Sequence, residues 1–322
     1  TWEGMAAEDG TCTPELKDLY AQLAKGGVGL IITSHTYVRS EGKGTPRQLG
    51  IYKDELVSGL RELTQAIHRH GSRVAVEISH AGILTNEKLT GQTPLVVSKV
   101  DQFNQSSGKQ MTVEDIEQIV EAFAQAARRA KNAGFDAVQI HAAHGFLMNQ
   151  FLSPAFNRRT DNYGGPIENR AKALLDTLGK IRAYVGDDFP ILIKLNSQDI
   201  LDGGLTLEDS VHVGLMLQEA GIDAIEISGG TVVTGDHCRK EIDAEEKEAY
   251  WREAARVFKQ KLHVPVILVG GVRSFKLAEQ LVDEGYADYI SISRPFIREP
   301  DLVNRWKSGD LRKAACISDN LC

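Results

Sequence analysis

The sequence predicts an α/β fold, a (βα)8 TIM barrel, on three observations. Seven short runs are rich in β-branched and apolar residues, as strands covered on both faces are. Longer amphipathic stretches separate them, so strand and helix alternate along the chain. Several connections are small glycine turns, and glycine suits the left-handed position that closes a helix. An open doubly wound sheet would show the same alternation and stands as the other architecture on pattern alone.

The elements follow in order. A helix over residues 14–25 closes at Gly26-Gly27 and leads into a strand over 28–33. A helix over 53–70 closes at Gly71, ahead of a strand over 73–78. A helix over 113–133 closes at Gly134-Phe135, ahead of a strand over 136–141. The remaining strands fall at 191–195, 224–228, 264–269 and 288–293, and the remaining helices at 167–184, 207–220, 245–260, 275–284 and 300–308. A barrel needs eight strands, and the first helix has none ahead of it. The first strand is therefore expected mostly upstream of Thr1. Residues 81–111 are too long for a simple connection and are expected to form a small lid or hairpin in the loop after the third strand.

Composition narrows the function classes. The 322 residues are 42% hydrophobic and 25% charged, with a formal net charge of −7. That is ordinary globular composition with no basic block, so a nucleic-acid partner is not expected. No apolar run reaches the ~18 residues of a membrane span. Cys12, Cys238, Cys316 and Cys322 are too few for a disulfide framework at this length, and a cytoplasmic setting is expected. A homo-oligomer is possible.

In a barrel the chemistry sits at the C-terminal ends of the strands. Those ends read Thr33-Ser34-His35, Glu77 to His80, His141 with His144, Lys194 to Asn196, Ser228 to Gly230, Gly270-Gly271 and Ser293-Arg294. The last two ends suit a phosphate, held by backbone N–H groups and the Arg294 charge; a plain tight turn with a surface arginine would look the same. His141 and His144 suit two donors on one carbonyl or phenolate oxygen. A structural role is the plainer reading of each alone, and no third ligand at metal spacing accompanies them. Lys194 could be a Schiff-base nucleophile, as in an aldolase or pyridoxal enzyme, a contact to a cofactor, or a salt-bridge partner.

The stretch Ser153-Pro154 to Asn157, Arg159-Thr160-Asp161, Tyr163-Gly164-Gly165 and Glu168-Asn169-Arg170 resembles the long signature of the Old Yellow Enzyme family, the FMN-containing NAD(P)H:flavin oxidoreductases. Residues 26–33 and His80-Ala81-Gly82 add support, and the resemblance runs from Thr1 to Arg312. It implies an FMN-binding barrel over 1–312, NADH or NADPH as hydride donor, and a small-molecule acceptor. An α,β-unsaturated carbonyl compound is the expected acceptor. An amine-type dehydrogenase, a quinone or nitro reductase, and a flavin-binding subunit without reductase activity of its own are alternatives.

The same resemblance implies site roles. Thr1 would contact the flavin ring near O4 and N5. Glu77, where the family usually has Gln, would meet the pyrimidine edge. Lys194, usually Arg, would stand beside N1 and O2, where a cation stabilises reduced flavin. Gly270, Gly271, Ser293 and Arg294 would hold the phosphate, and His141 and His144 the substrate oxygen. Phe146 stands where reductases of the family usually carry a proton-donating Tyr. Phe has no proton to give, so Tyr37, His35 or water would serve, or the acceptor would need no donor. The tail over 313–322 resembles a degenerate or truncated iron–sulfur motif, with Asp319 in a Cys position. Four thiolates are the usual requirement, so no cluster is expected from these residues.

Overall fold

The computed structural model describes residues 3–100, 108–234 and 240–319. Thr1, Cys238 and Cys322 lie outside them, and so do the role assigned to Thr1 and the end of the tail motif.

The strands are β1 (Leu30–Ile32), β2 (Thr36–Tyr37), β3 (Arg73–Ser79), β4 (Leu95–Val96), β5 (Lys109–Gln110), β6 (Ala137–Ala142), β7 (Ile191–Asn196), β8 (Ala224–Ser228), β9 (Val266–Val269) and β10 (Tyr289–Ser291). The helices are α1 (Pro14–Lys25), α2 (Val57–His68), α3 (Glu87–Thr90), α4 (Val113–Ala133), α5 (Leu147–Leu152), α6 (Ile167–Val185), α7 (Leu207–Glu219), α8 (Arg252–Lys261), α9 (Phe275–Asp283), α10 (Arg294–Arg298) and α11 (Leu302–Lys307).

Seven strands pair in the order β1-β3-β6-β7-β8-β9-β10, every pair parallel, with β2 extending the contact to β3. This order settles the architecture. A doubly wound sheet reverses its strand order at a switch point, whereas here each strand follows its predecessor in one direction, as the staves of a curled, barrel-type sheet do. Among the described residues β1 and β10 are the outer strands. Leu30 and Tyr289 on them are 41% and 61% exposed, while β6 is buried along its whole length.

Local chemistry fixes the helix ends. Thr13 caps α1 by accepting from the Leu16 N–H, and Pro14 starts the helix. Thr112 and Asp115 form a reciprocal capping box for α4, which ends on left-handed Gly134. Thr206 caps α7. The predicted helix over 245–260 begins only at Arg252, because Ala249 takes a left-handed φ of 51° and breaks the pattern. Residues 81–111 hold α3 and the β4–β5 pair. That pair is parallel, so it is not a hairpin.

Side chains alternate across a strand with period two, and the strands here sort their inward positions into layers. Ala75, Ala137, Leu192 and Ile267 pack together at the lower level, with Ile32 and Ala224 against them. One step up, the same strands carry Glu77, Gln139, Lys194 and Glu226. The next step gives Ser79, His141, Asn196 and Ser228. The interior therefore changes from apolar to charged toward the C-terminal ends of the strands.

Candidate active site at the strand ends

The charged layer is buried. Glu77 is 2% exposed, Gln139 0% and Glu226 1%. Register puts Lys194 beside His141 on one side and Glu226 on the other. Its ammonium donates a short hydrogen bond to Glu77 Oε2 and lies 3.4 Å from Glu226 Oε2. Gln139 Nε2 donates to the same Glu226 oxygen at 2.9 Å. Burial works against the charge on Lys194, but Glu226 and Glu77 outweigh it and hold the ammonium above its ordinary range. Burial likewise opposes ionisation of Glu77, and Lys194 outweighs it. Glu77 is thus an ion-pair partner of Lys194 rather than a protonated acid.

His141 and His144 meet edge to face with centroids 5.4 Å apart. The Ala143 N–H donates to His141 Nδ1 at 3.3 Å, which leaves the ring proton on Nε2, 3.6 Å from Glu77 Oε1. His144 Nε2 pairs with Ser228 Oγ at 2.7 Å. Burial pushes His141 down to about 3 and His144 well below its ordinary range. Both rings are neutral near pH 7.

His144 holds a left-handed φ of 61°, and a buried network supports it. Asn196 Oδ1 accepts from the His144 N–H at 3.0 Å, and Asn149 Oδ1 from the Gly145 N–H at 2.7 Å. Asp199 Oδ1 accepts from both amides, at 3.0 Å and 2.9 Å. Gln150 ties the same turn to the third strand end through Gly145 O and Ala81 O.

Phe146 stacks on His141 at 4.2 Å. His35 packs against Phe146 at 4.9 Å and lies 6.2 Å from His141. Tyr37 is placed differently: its ring stacks on Tyr52 at 5.1 Å, and a Cβ on Gly10 would meet its hydroxyl. Of the acids named from sequence, His35 is therefore the one packed in the histidine cluster.

Gly270-Gly271 and Ser293-Arg294 follow the paired strands β9 and β10. Gly270 and Gly271 have φ of 131° and 79°, and a Cβ on either would run into Trp251, Tyr250 or Ile242. Arg294 donates to Lys240 O and Ser318 O at 3.1 and 3.2 Å. Arg273 likewise holds Ile242 O at 2.7 Å and Cys316 O at 3.3 Å. The tail is thereby fastened across the ends of the last two strands.

Asn157, Arg159 and Arg170 of the Ser153 to Arg170 signature are held by the chain itself. Asn157 Nδ2 donates to Phe151 O and Tyr163 O, both at 2.7 Å. Arg159 pairs with Asp161 and donates to Val97 O and Met111 O. Arg170 donates to Gly165 O and pairs with Asp209. This loop is scaffold. An open cleft of about 640 Å³ lined by Arg39, Glu41, Tyr52 and Arg129 shares no residue with the strand-end site.

The strand-end residues suit a flavin. Glu77 Oε1 lies beyond hydrogen-bond reach of His141, so it keeps acceptor capacity for an imide N–H. Gln139 Oε1 is buried with no partner, and such an atom at the mouth of a site calls for one. Gln139 and Glu226 were not singled out from sequence. They stand two residues before His141 and Ser228, at the same period as Glu77 and Lys194, and that spacing could have found them.

A model of the NADH:flavin oxidoreductase / NADH oxidase family matches residues 3–312. The chain is 36% identical over 324 residues to an NADH oxidase of Thermoanaerobacter brockii, covering 98% of this chain and 49% of that protein. It is 35% identical over 295 residues to an NADPH dehydrogenase of Geobacillus sp. (strain WCH70), covering 91% of this chain and 83% of the relative. A 2-naphthoyl-CoA reductase in complex with 2-naphthoyl-CoA superposes with a TM-score of 0.91 at 29% identity, over 98% of this chain and 50% of that one. The chain thus spans about half the length of the first and third of these proteins.

Proposed function

Because the chain belongs to the NADH:flavin oxidoreductase / NADH oxidase family, we propose that it is the FMN-holding barrel of an enzyme that reduces an electron-poor acceptor with NADH or NADPH, the acceptor being an α,β-unsaturated carbonyl compound. When bound, FMN supplies the hydride chemistry. The chain's own residues bind and orient. Glu77 and Lys194 would meet the pyrimidine edge, and Gly270, Gly271, Ser293 and Arg294 the phosphate.

The observation that carries the reading is the pair of neutral imidazoles above a buried charged layer. Neutral rings donate hydrogen bonds to an acceptor oxygen without adding a cation. Two such donors in a buried site polarise a carbonyl and favour hydride arrival at its β-carbon. The lysine-dependent aldolase reading loses its support, because a Schiff-base lysine must shed its proton and Glu226 and Glu77 hold Lys194 protonated.

Phe146 favours a second reading, a quinone or nitro acceptor that needs no carbon-bound proton from the protein. A histamine dehydrogenase from Rhizobium is also similar in fold, which keeps amine oxidation in the test. No helix among the described residues is long and apolar enough to cross a membrane, and a cytoplasmic site of action is part of the proposal. The test is the FMN-loaded protein, reduced anaerobically with NADH or NADPH and then offered an enone, a quinone, a nitroarene and an amine. Reoxidation by the enone supports the first reading. Reoxidation by the quinone or nitroarene alone replaces it with the second. Protein that takes up no FMN overturns both.

A further inference from the structure

The sequence offers Lys194 as a cation beside the flavin, but the structure places two carboxylates on it. Glu77 and Glu226 approach the one ammonium from different strands, with side chains 3% and 2% exposed against 13% for Lys194. Gln139 fixes Glu226 by donating to the oxygen that faces the lysine. The nearby rings of His35 and His141 add no charge at neutral pH, because burial pushes both to about 3. One ammonium facing two carboxylates gives this buried layer a formal charge of −1.

We propose that Glu226, acting through Lys194 together with Glu77, leaves the flavin's pyrimidine edge facing a net negative layer and so sets a low reduction potential, making the reduced cofactor a strong reductant. The inference rests on the FMN reading above. Reduction adds negative charge to the ring, and a buried carboxylate opposes that charge more than it opposes the neutral oxidised ring. Glu226 is a positioning residue in this scheme: it meets Lys194 and Gln139, while Glu77 is the residue assigned to the ring itself.

The experiment is an anaerobic potentiometric titration of the FMN-loaded protein and its variants. Glu226→Gln and Glu77→Gln keep shape and remove one charge each. Each is expected to shift the flavin equilibrium about tenfold toward the reduced form, ~30 mV for a two-electron couple. Glu226→Asp, which restores the charge, should return the potential toward the parent value, a rescue that a packing role would not give. If both Gln variants carry normal FMN and titrate at the parent potential or below it, the inference is overturned while the cofactor reading survives. Parent protein that takes up no FMN overturns the cofactor reading, and this inference with it.

Discussion

Phe146 has its ring stacked on His141 and packed against His35, and it carries no proton. His141 carries its proton toward Glu77, and the other ring packed against Phe146 is His35, whose tautomer is set from outside the site. Gln48 Oε1 accepts from the Gly44 and Thr45 N–H groups at 2.7 and 3.3 Å, which fixes its amide, and its Nε2 then donates to His35 Nδ1 at 2.8 Å. The His35 proton therefore sits on Nε2. A positioned acid contributes roughly 10²–10⁴ to a rate. Phe146→Tyr is expected to raise enone turnover by up to about 10² and to leave quinone turnover unchanged, both read as reoxidation of the reduced enzyme. His35→Ala is expected to lower enone turnover and spare the quinone. If His35→Ala leaves enone turnover intact, the proton comes from water.

The turn between β6 and α5 is held by Asn149, Asn196 and Gln150, which hydrogen-bond its backbone. Asn149 is wholly buried and bridges the Gly145 N–H to Asp199. Asn149→Ala would leave that N–H without its partner, at about 1–3 kcal/mol for an unsatisfied buried group, while Asp199 Oδ1 keeps the Asn196 amide. The expected outcome is a stability loss of about 1–3 kcal/mol in denaturant unfolding, together with weaker binding of a phenol to the FMN-loaded protein as His144 loses its support. A variant as stable as the parent would show that water replaces the amide. Elements of this kind mark where sequence stops being legible. The seven main strands were readable because each is a short run rich in β-branched and apolar residues, and the major helices because their periodicity and caps agree. The β4–β5 pair was not, since two residues per strand carry no period. The start of α8 was misplaced because the left-handed backbone at Ala249 has no sequence signal. In the site, the histidine pair, Glu77 and Lys194 were legible; Glu226 stands at the same spacing and was passed over, and its contact with Lys194 follows from the register of β7 against β8. Asn157, Arg159 and Arg170 of the signature are taken up by the chain's own carbonyls and carboxylates.

Across the whole molecule, burying histidines at the mouth of the sheet couples the fold to acid. His80 and His141 are 1% and 2% exposed, and burial pushes them down to about 4 and about 3. His35 and His144 are lowered in the same direction by the same cause. In the unfolded chain a histidine titrates near ~6.5. Between that pH and the folded values, the unfolded state binds protons that the folded state refuses, so stability rises with pH in this window and is lost as pH falls. Each bound proton changes stability by about 1.4 kcal/mol per pH unit, which makes His80 and His141 together worth about 4 kcal/mol by pH 5. That is a large part of the ~5–15 kcal/mol a domain has. Glu77 is held low and loses its contribution only below the ordinary carboxylate range, so it does not blur the window. Urea unfolding at a series of pH values from 8 to 5 is expected to show a falling stability that steepens below pH 6.5. His80 is the cleanest site for assigning it, because its buried Nε2 has no partner to lose. His80→Gln is expected to reduce the slope by about one proton. A stability curve flat from pH 8 to 5 would mean that water reaches these rings in solution, and the neutral-donor account of His141 would fall with it.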